Sequence, residues 1–173
     1  MFVTYKAWKY LIVALLFVIS LGFLIPESKT IPVQGATSRD WNKNTFWFEP
    51  WGSSGVHKGI DIFAKNNTPV IASTNLFVLY KGSISKGGNI VLALGPKWRL
   101  HYFAHLSSID SSTGRFLKTG DSFAYVGDTG NAKGKQPHLH YSIVSLLPLV
   151  WQIDSSTQGY KKMFYLDPIE YLK

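Results

Sequence analysis

The chain has no cysteine among its 173 residues. That excludes disulfides, a lipid anchor on an acylated cysteine, and any thiolate metal site. A borderline metal such as zinc is left with imidazole nitrogen and carboxylate oxygen. Acidic side chains are also scarce, 10 against 18 lysines and arginines, for a formal charge of +8. The lysines are scattered and no nucleic-acid-binding motif accompanies them, so nucleic acid is not an expected partner. There is no His-Glu-x-x-His pair. The glycine-rich stretch from Gly127 to Pro137 opens no helix and matches no nucleotide fingerprint. After residue 25 no long helical period, internal repeat or low-complexity run is visible.

What is present is enough apolar material for one domain: 46% hydrophobic and 15% aromatic residues. The longest apolar run, Tyr10 to Ile25, holds sixteen residues without a charge and follows Lys6 and Lys9. It falls between the core of a cleaved signal, about 7 to 15 residues, and a spanning helix of about 20. No Ala-x-Ala cut site follows, Ser20-Leu21-Gly22 and Val33-Gln34-Gly35 being poor substitutes, and Trp8 and Lys9 can extend the span to the interface. We read it as an uncleaved anchor. The expected organisation is then a cytoplasmic basic flank (1–9), a single-pass transmembrane segment (10–25), a linker (26–40) and a domain outside the cytoplasm (41–173), placed by the lysines before the run. On an exported domain the basic charge suits anionic cell-wall polymers or lipid headgroups.

Beyond residue 41 the chain reads as short strands with turn punctuation. Thr68 to Ser73, Leu76 to Lys81, Asn89 to Leu94, Arg99 to His105, Ser122 to Gly127 and His138 to Val144 are rich in β-branched and aromatic residues. They are separated by Asn66-Asn67, Gly87-Gly88, Gly95-Pro96 and Thr129-Gly130. The expected class is an all-β sandwich or barrel. The aromatic stretch Trp41 to Trp51 reads mostly as core, and Asp167 before Pro168 reads as a helix cap.

Two pieces carry the chemistry. If Val56 to Ile62 runs extended, His57, Gly59 and Asp61 share one face while Ile60 and Ile62 face a core. His138 and His140 share a face for the same reason. Side by side, the two strands would gather three imidazoles and a carboxylate beside a glycine that leaves room. A catalytic zinc needs three protein ligands, so four candidates leave one group over for proton transfer.

Gly55-Val56-His57-Lys58-Gly59-Ile60-Asp61, then Phe103-Ala104-His105-Leu106, then Gly127-Asp128-Thr129-Gly130 and Pro137-His138-Leu139-His140 resemble in order and spacing the lysostaphin/LytM-type zinc metallopeptidases, which cut peptidoglycan peptides. The resemblance runs from about Phe46 to Leu172. It implies a single β-sandwich-like domain of the swapped-hairpin (duplicated hybrid motif) type, related to biotin-carrier domains, behind the N-terminal transmembrane helix. By the same resemblance His57, Asp61 and His140 are the ligands of one zinc ion per chain, and His105 and His138 the catalytic pair assisting attack by metal-bound water.

Alternation alone would put His101 on the same side as His105, and we expect His101 to be a partly exposed strand residue. Where the family has Gly-Pro-His-Leu-His, this chain runs Gly134-Lys135-Gln136-Pro137, about two residues longer, which alters one wall of the expected cleft. Trp51 is given no role, because an indole donates but does not ionise. The alternative reading is a non-catalytic relative that binds and activates a cell-wall amidase. Such relatives lack ligand or base histidines, whereas the full set is present here.

Overall fold

The computed structural model describes residues 5–173, so the first four residues of the expected basic flank lie outside the described residues. Helix α1 spans Tyr5–Leu24, about 30 Å at 1.5 Å per residue. It stops before Ile25-Pro26, where the residue preceding a proline is pushed out of helical backbone. Its side chains from Leu11 to Leu24 are largely exposed. It is long and apolar enough to cross a membrane.

Ten strands follow: β1 (Ile60–Phe63), β2 (Pro69–Ile71), β3 (Leu76–Ile84), β4 (Gly88–Gly95), β5 (Arg99–Leu106), β6 (Ser108–Ile109), β7 (Phe116–Leu117), β8 (Ser122–Tyr125), β9 (His138–Ser145) and β10 (Tyr165–Leu166). Antiparallel pairing orders seven of them β1-β9-β5-β4-β3-β7, with β10 added along the later part of β9. Strands β2, β8 and β6 make a small second sheet. The chain is therefore all-β behind one N-terminal helix, as its punctuation predicts. Between the sheets Ile60, Ile62, Phe103, Leu139, Tyr141 and Ile143 meet Val70, Phe123 and Ala124 in one buried cluster. The rings of Phe103 and Phe123 stand 5.1 Å apart across the layers. Asp167 caps the short helix α2 (Pro168–Tyr171), its Oδ1 accepting from the Ile169 N–H at 2.8 Å.

Three local expectations differ from what is found. Strand β1 begins at Ile60, not Val56. His57 instead pairs its backbone with the aromatic stretch, Trp47 N–H donating to His57 O at 2.7 Å and His57 N–H to Phe48 O at 2.9 Å. The segment expected as a loose tether lies against the small sheet. Thr30 N–H donates to Ser73 O at 2.9 Å, Ile71 N–H to Pro32 O at 3.1 Å, and Val33 pairs with Val70 with its side chain 1% exposed. The physical reason is the edge of β2, which would otherwise present unpaired backbone.

His101 is the third difference. It is fully buried. Its Nδ1 lies 2.7 Å from the Tyr141 hydroxyl and 3.2 Å from Ser73 Oγ, while its Nε2 has no partner among the described residues. Burial pulls its pKa from 6.5 down to about 3, against the opposing pull of the Glu27 carboxylate.

A folded-state pKa below the unfolded one means that the unfolded chain binds the extra proton between those values. The histidine's effect on stability is therefore neutral above pH 6.5 and turns destabilising as the pH falls toward 3. Urea unfolding of the full chain in detergent should show a His101→Phe variant losing less stability on acidification than the parent, by up to about 1.4 kcal/mol per pH unit in that window. Parallel pH dependences would contradict a neutral buried imidazole.

Candidate metal centre

Strand β9 places the centre. His140 stands directly opposite Asp61 of β1 on one side and opposite Ala104 of β5 on the other. Directly opposed residues point to the same side of a sheet. His138 and His140 thus leave the face whose reverse carries Leu139, Tyr141 and Ile143 into the core. Gly59 is required here for space: a Cβ would run into Ser142 Oγ, Tyr141 O and the His140 ring.

Three ligand atoms converge. His140 Nδ1 lies 2.8 Å from Asp61 Oδ1, His57 Nε2 lies 3.2 Å from the same oxygen, and the two nitrogens are 3.1 Å apart. Atoms bound to one tetrahedral zinc at about 2.0 to 2.1 Å stand about 3.3 Å from one another, so the triangle already has near-ligand dimensions. Two imidazole nitrogens and a carboxylate oxygen held this close, with Asp61 and His57 largely buried, form a set that a cation stabilises. Burial alone would raise the Asp61 pKa, yet the hydrogen bonds to His140 and His57 hold the carboxyl far below the usual range. Burial likewise lowers the His140 pKa, opposed by the Asp61 charge. Both ligand types suit zinc, and the residues fit such an ion.

The far sides of the rings are tied down. The Thr45 carbonyl sits 3.0 Å from His57 Nδ1 and can only accept, which places the proton on Nδ1 and leaves Nε2 its lone pair. Thr45 Oγ1 adds a contact at 2.8 Å. His140 Nε2 meets Ser142 Oγ at 3.0 Å, a hydroxyl that is able to accept its proton. Trp51 stacks on His57, ring centres 4.0 Å apart and planes within 23°.

His105 and His138 stand beside this triangle. Their ring centres are 5.1 Å apart, and His105 is 5.9 Å from His140. Each directs Nδ1 to a backbone carbonyl of the glycine-rich loop, His105 to Thr129 O at 2.9 Å and His138 to Gln136 O at 2.8 Å. Each therefore keeps Nε2 as its free nitrogen; that of His138 is 3.9 Å from Asp61 Oδ2. Burial, reinforced by His140 and His138, lowers the His105 pKa to about 4, so its ring is neutral near pH 7. The cleft above these side chains, about 440 Å³, is walled by Trp51 and Gly52 on one side and by Asn131, Lys135 and Gln136 on the other. The glycine-rich loop is a cleft wall, as expected.

A bulge separates His105 from His101. Between the Asn89–Leu106 and Val91–Phe103 pairs, β4 advances two residues while β5 advances three. His105 takes a left-handed backbone at φ 64. The extra residue reverses the alternation, sending His105 to the cleft while His101 keeps the core side with Phe103. A strict period of two does not contain this. Ser142, two residues after His140 on the same face, was readable from alternation. Thr45 sits on a loop and the Thr129 and Gln136 carbonyls leave no side-chain signature, so nothing in the sequence announced them; Trp51, given no role from its chemistry, acts by stacking, which spacing does not reveal.

The pattern that defines peptidase family M23 matches residues 55–148. The DD-carboxypeptidase/endopeptidase Mpg of Neisseria meningitidis serogroup B is 36% identical over 86 residues, 50% of this chain and 19% of that protein. Lysostaphin of Staphylococcus simulans is 30% identical over 91 residues, 51% of this chain and 18% of that protein. The chain thus spans about a fifth of the length of these relatives. Among solved structures, the catalytic domain of the antimicrobial peptidase lysostaphin from Staphylococcus simulans superposes with a TM-score of 0.55 at 25% identity, covering 71% of this chain and 84% of that one. LytU shares the fold, with a TM-score of 0.57 at 21% identity over 83% and 90% of the two chains.

The bulge makes a stability prediction that is independent of activity. A left-handed conformation costs an L-residue about 1 to 2 kcal/mol and glycine little. His105→Gly should therefore be more stable to urea than His105→Ala by about 1 kcal/mol, although glycine normally destabilises a strand. An alanine variant as stable as the glycine variant would contradict the bulge geometry.

Proposed function

The chain belongs to peptidase family M23, and on that premise we propose that it is a membrane-anchored zinc endopeptidase hydrolysing peptide bonds in peptidoglycan cross-links or stem peptides. The observation carrying this reading is the convergence of Asp61, His140, His105 and His138 on one cleft, with His57 buried directly against Asp61 and His140. Support for peptide hydrolysis also comes from relatives named as an endopeptidase and as an antimicrobial peptidase. The basic charge suits an anionic wall polymer.

In this reading His57 Nε2, Asp61 and His140 Nδ1 hold one zinc ion. When bound, that ion supplies Lewis acidity, acidifying a water and polarising a carbonyl. The chain's own groups do the rest. His138, with its Nδ1 proton committed to Gln136 O, offers Nε2 as the base that takes the proton of the attacking water and returns it to the leaving amine. His105, held the same way by Thr129 O, lends its imidazole to the charge developing on the carbonyl oxygen and pairs with His138 in moving the proton. Trp51 positions the His57 ring by stacking and closes one side of the cleft against water. Helix α1 serves as the anchor, with residues 1–9 cytoplasmic and the body from residue 41 outside, on the periplasmic or wall side. A domain whose task is to activate an amidase has no need of five converging polar side chains, so this alternative has less support.

The purified protein should carry about one zinc per chain. His140→Ala should lose it, while His105→Ala and His138→Ala should retain it and lose turnover of defined cross-linked muropeptides by roughly a hundredfold or more. Elemental analysis with a mass-resolved digest reads both quantities. Zinc-loaded protein that leaves every muropeptide intact would overturn the enzyme reading in favour of amidase activation.

A further inference from the structure

The end of the sheet opposite the cleft is built around the anchor helix. The turn Pro96–Trp98 between β4 and β5 holds Lys97 and Trp98 at φ 58, a left-handed backbone that swings the indole outward. Trp98 Nε1–H donates to the Ile19 carbonyl of α1 at 2.9 Å, and its ring occupies the notch left by Gly22, where any Cβ would overlap it. Just past the helix, Glu27 is 3% exposed and accepts from Arg99 at 2.8 Å, Lys97 at 3.0 Å and the Tyr171 hydroxyl at 3.1 Å. The domain is therefore clamped to the helix.

That clamp has a positional consequence. Ile19 lies five residues before the end of α1, about 7 Å down its axis. If α1 spans a bilayer, the Trp98 indole sits at the depth where tryptophan collects, between headgroups and hydrocarbon. Large apolar side chains are left bare around the same point. Leu146, 49% exposed, follows β9, and its N–H bonds Trp98 O at 2.9 Å. Val150 and Trp151 come next, 59% and 76% exposed, beside Gln152, which shares a groove with Glu27 and Lys97. On the other flank Phe116, 81% exposed, lines an apolar groove with Ile25 and Pro96. Single exposed apolar residues need no explanation, but a collar of them around a membrane helix does. Lys29, Lys97, Arg99 and Lys118 at this end stand with Glu27, Asp167 and Glu170, so the charge is nearly balanced and the apolar collar continuous with α1 is what suits a lipid surface.

We propose that this collar is a membrane-docking face: Trp98, Phe116, Leu146, Val150 and Trp151 seat the domain directly on the outer lipid surface around α1. The proposal rests on α1 being a membrane anchor. Its functional consequence follows from β9, which runs from His138 at the cleft to Ser145 at the docked end. Seven residue steps reach at most about 23 Å. The cleft is thereby held at a fixed height within about that distance of the bilayer, and only the membrane-proximal layer of substrate comes within reach.

The absence of cysteine allows a clean test. Nitroxide labels would be placed singly in the full chain at Phe116→Cys, Trp151→Cys, Leu15→Cys within α1, and Asn42→Cys beside the cleft. The protein would be reconstituted in vesicles of phosphatidylethanolamine and phosphatidylglycerol, and oxygen and nickel-complex accessibilities compared by power saturation. Labels at 116 and 151 should favour oxygen over nickel at least twofold more than the label at 42. Adding Gly22→Leu, which fills the indole notch but keeps an apolar span, should erase that preference while leaving the label at 15 shielded. If labels at 116 and 151 are as open to nickel as the one at 42 while 15 is shielded, the anchor stands and the docking face is wrong. If 15 is itself open to nickel, the anchor reading falls and the proposal falls with it.

Discussion

Pairing of β9 along both its edges is the constraint on which the centre depends. One register, Asp61–His140 against β1 and Ala104–His140 against β5, decides which face His138 and His140 leave from and which carboxylate they meet. A slip of one residue would send both histidines into the core and Leu139 and Tyr141 into the cleft. The register is strongly specified because those two side chains, with Ile60, Ile62 and Ile143, form the buried layer between the sheets. Hydrophobic burial and the geometry of the proposed metal ligands are thus settled by the same backbone hydrogen bonds.

Around that ladder the polar groups are arranged in two ranks. The inner rank is a set that a cation stabilises, because once the ring protons sit on the far nitrogens, two lone pairs and one carboxylate face one another at about 3 Å. The outer rank consists of acceptors, the carbonyls of Thr45, Thr129 and Gln136, each placed to take an Nδ1 proton. Because these carbonyls cannot donate, they fix the tautomer of His57, His105 and His138 and leave every Nε2 directed inward. The glycine-rich loop contributes through two of these carbonyls, so its altered length around Lys135 and Gln136 changes the wall without removing the contacts that orient the histidines.

Period-two alternation reads directly on side chains for Asp61, His138 and His140, and the motif resemblance singled out His57 and His105 beside them; the all-β class and the cap at Asp167 were legible as well. Three features were not. The bulge at His105 depends on a count mismatch between two strands that are adjacent only in the fold. His57 is held by loop residues 47 and 48 rather than by a strand, a non-local pairing no spacing reveals. Residues 30–34 read as a tether because two apolar residues are a weak signal, yet one open sheet edge was enough to order them. Trp98 illustrates the same limit: its meaning lies in a glycine notch 76 positions earlier in the chain.

The central claim is that three of the five residues ligate and two stand free beside them. Zinc-edge X-ray absorption of the protein with its resident metal tests this most directly. Two imidazole nitrogens and one carboxylate oxygen from the protein should stand at about 2.0 to 2.1 Å, with the fourth position filled by a non-histidine light atom. A third imidazole in the coordination shell would mean that His138 or His105 is a ligand, and would contradict the division of labour on which the whole reading stands.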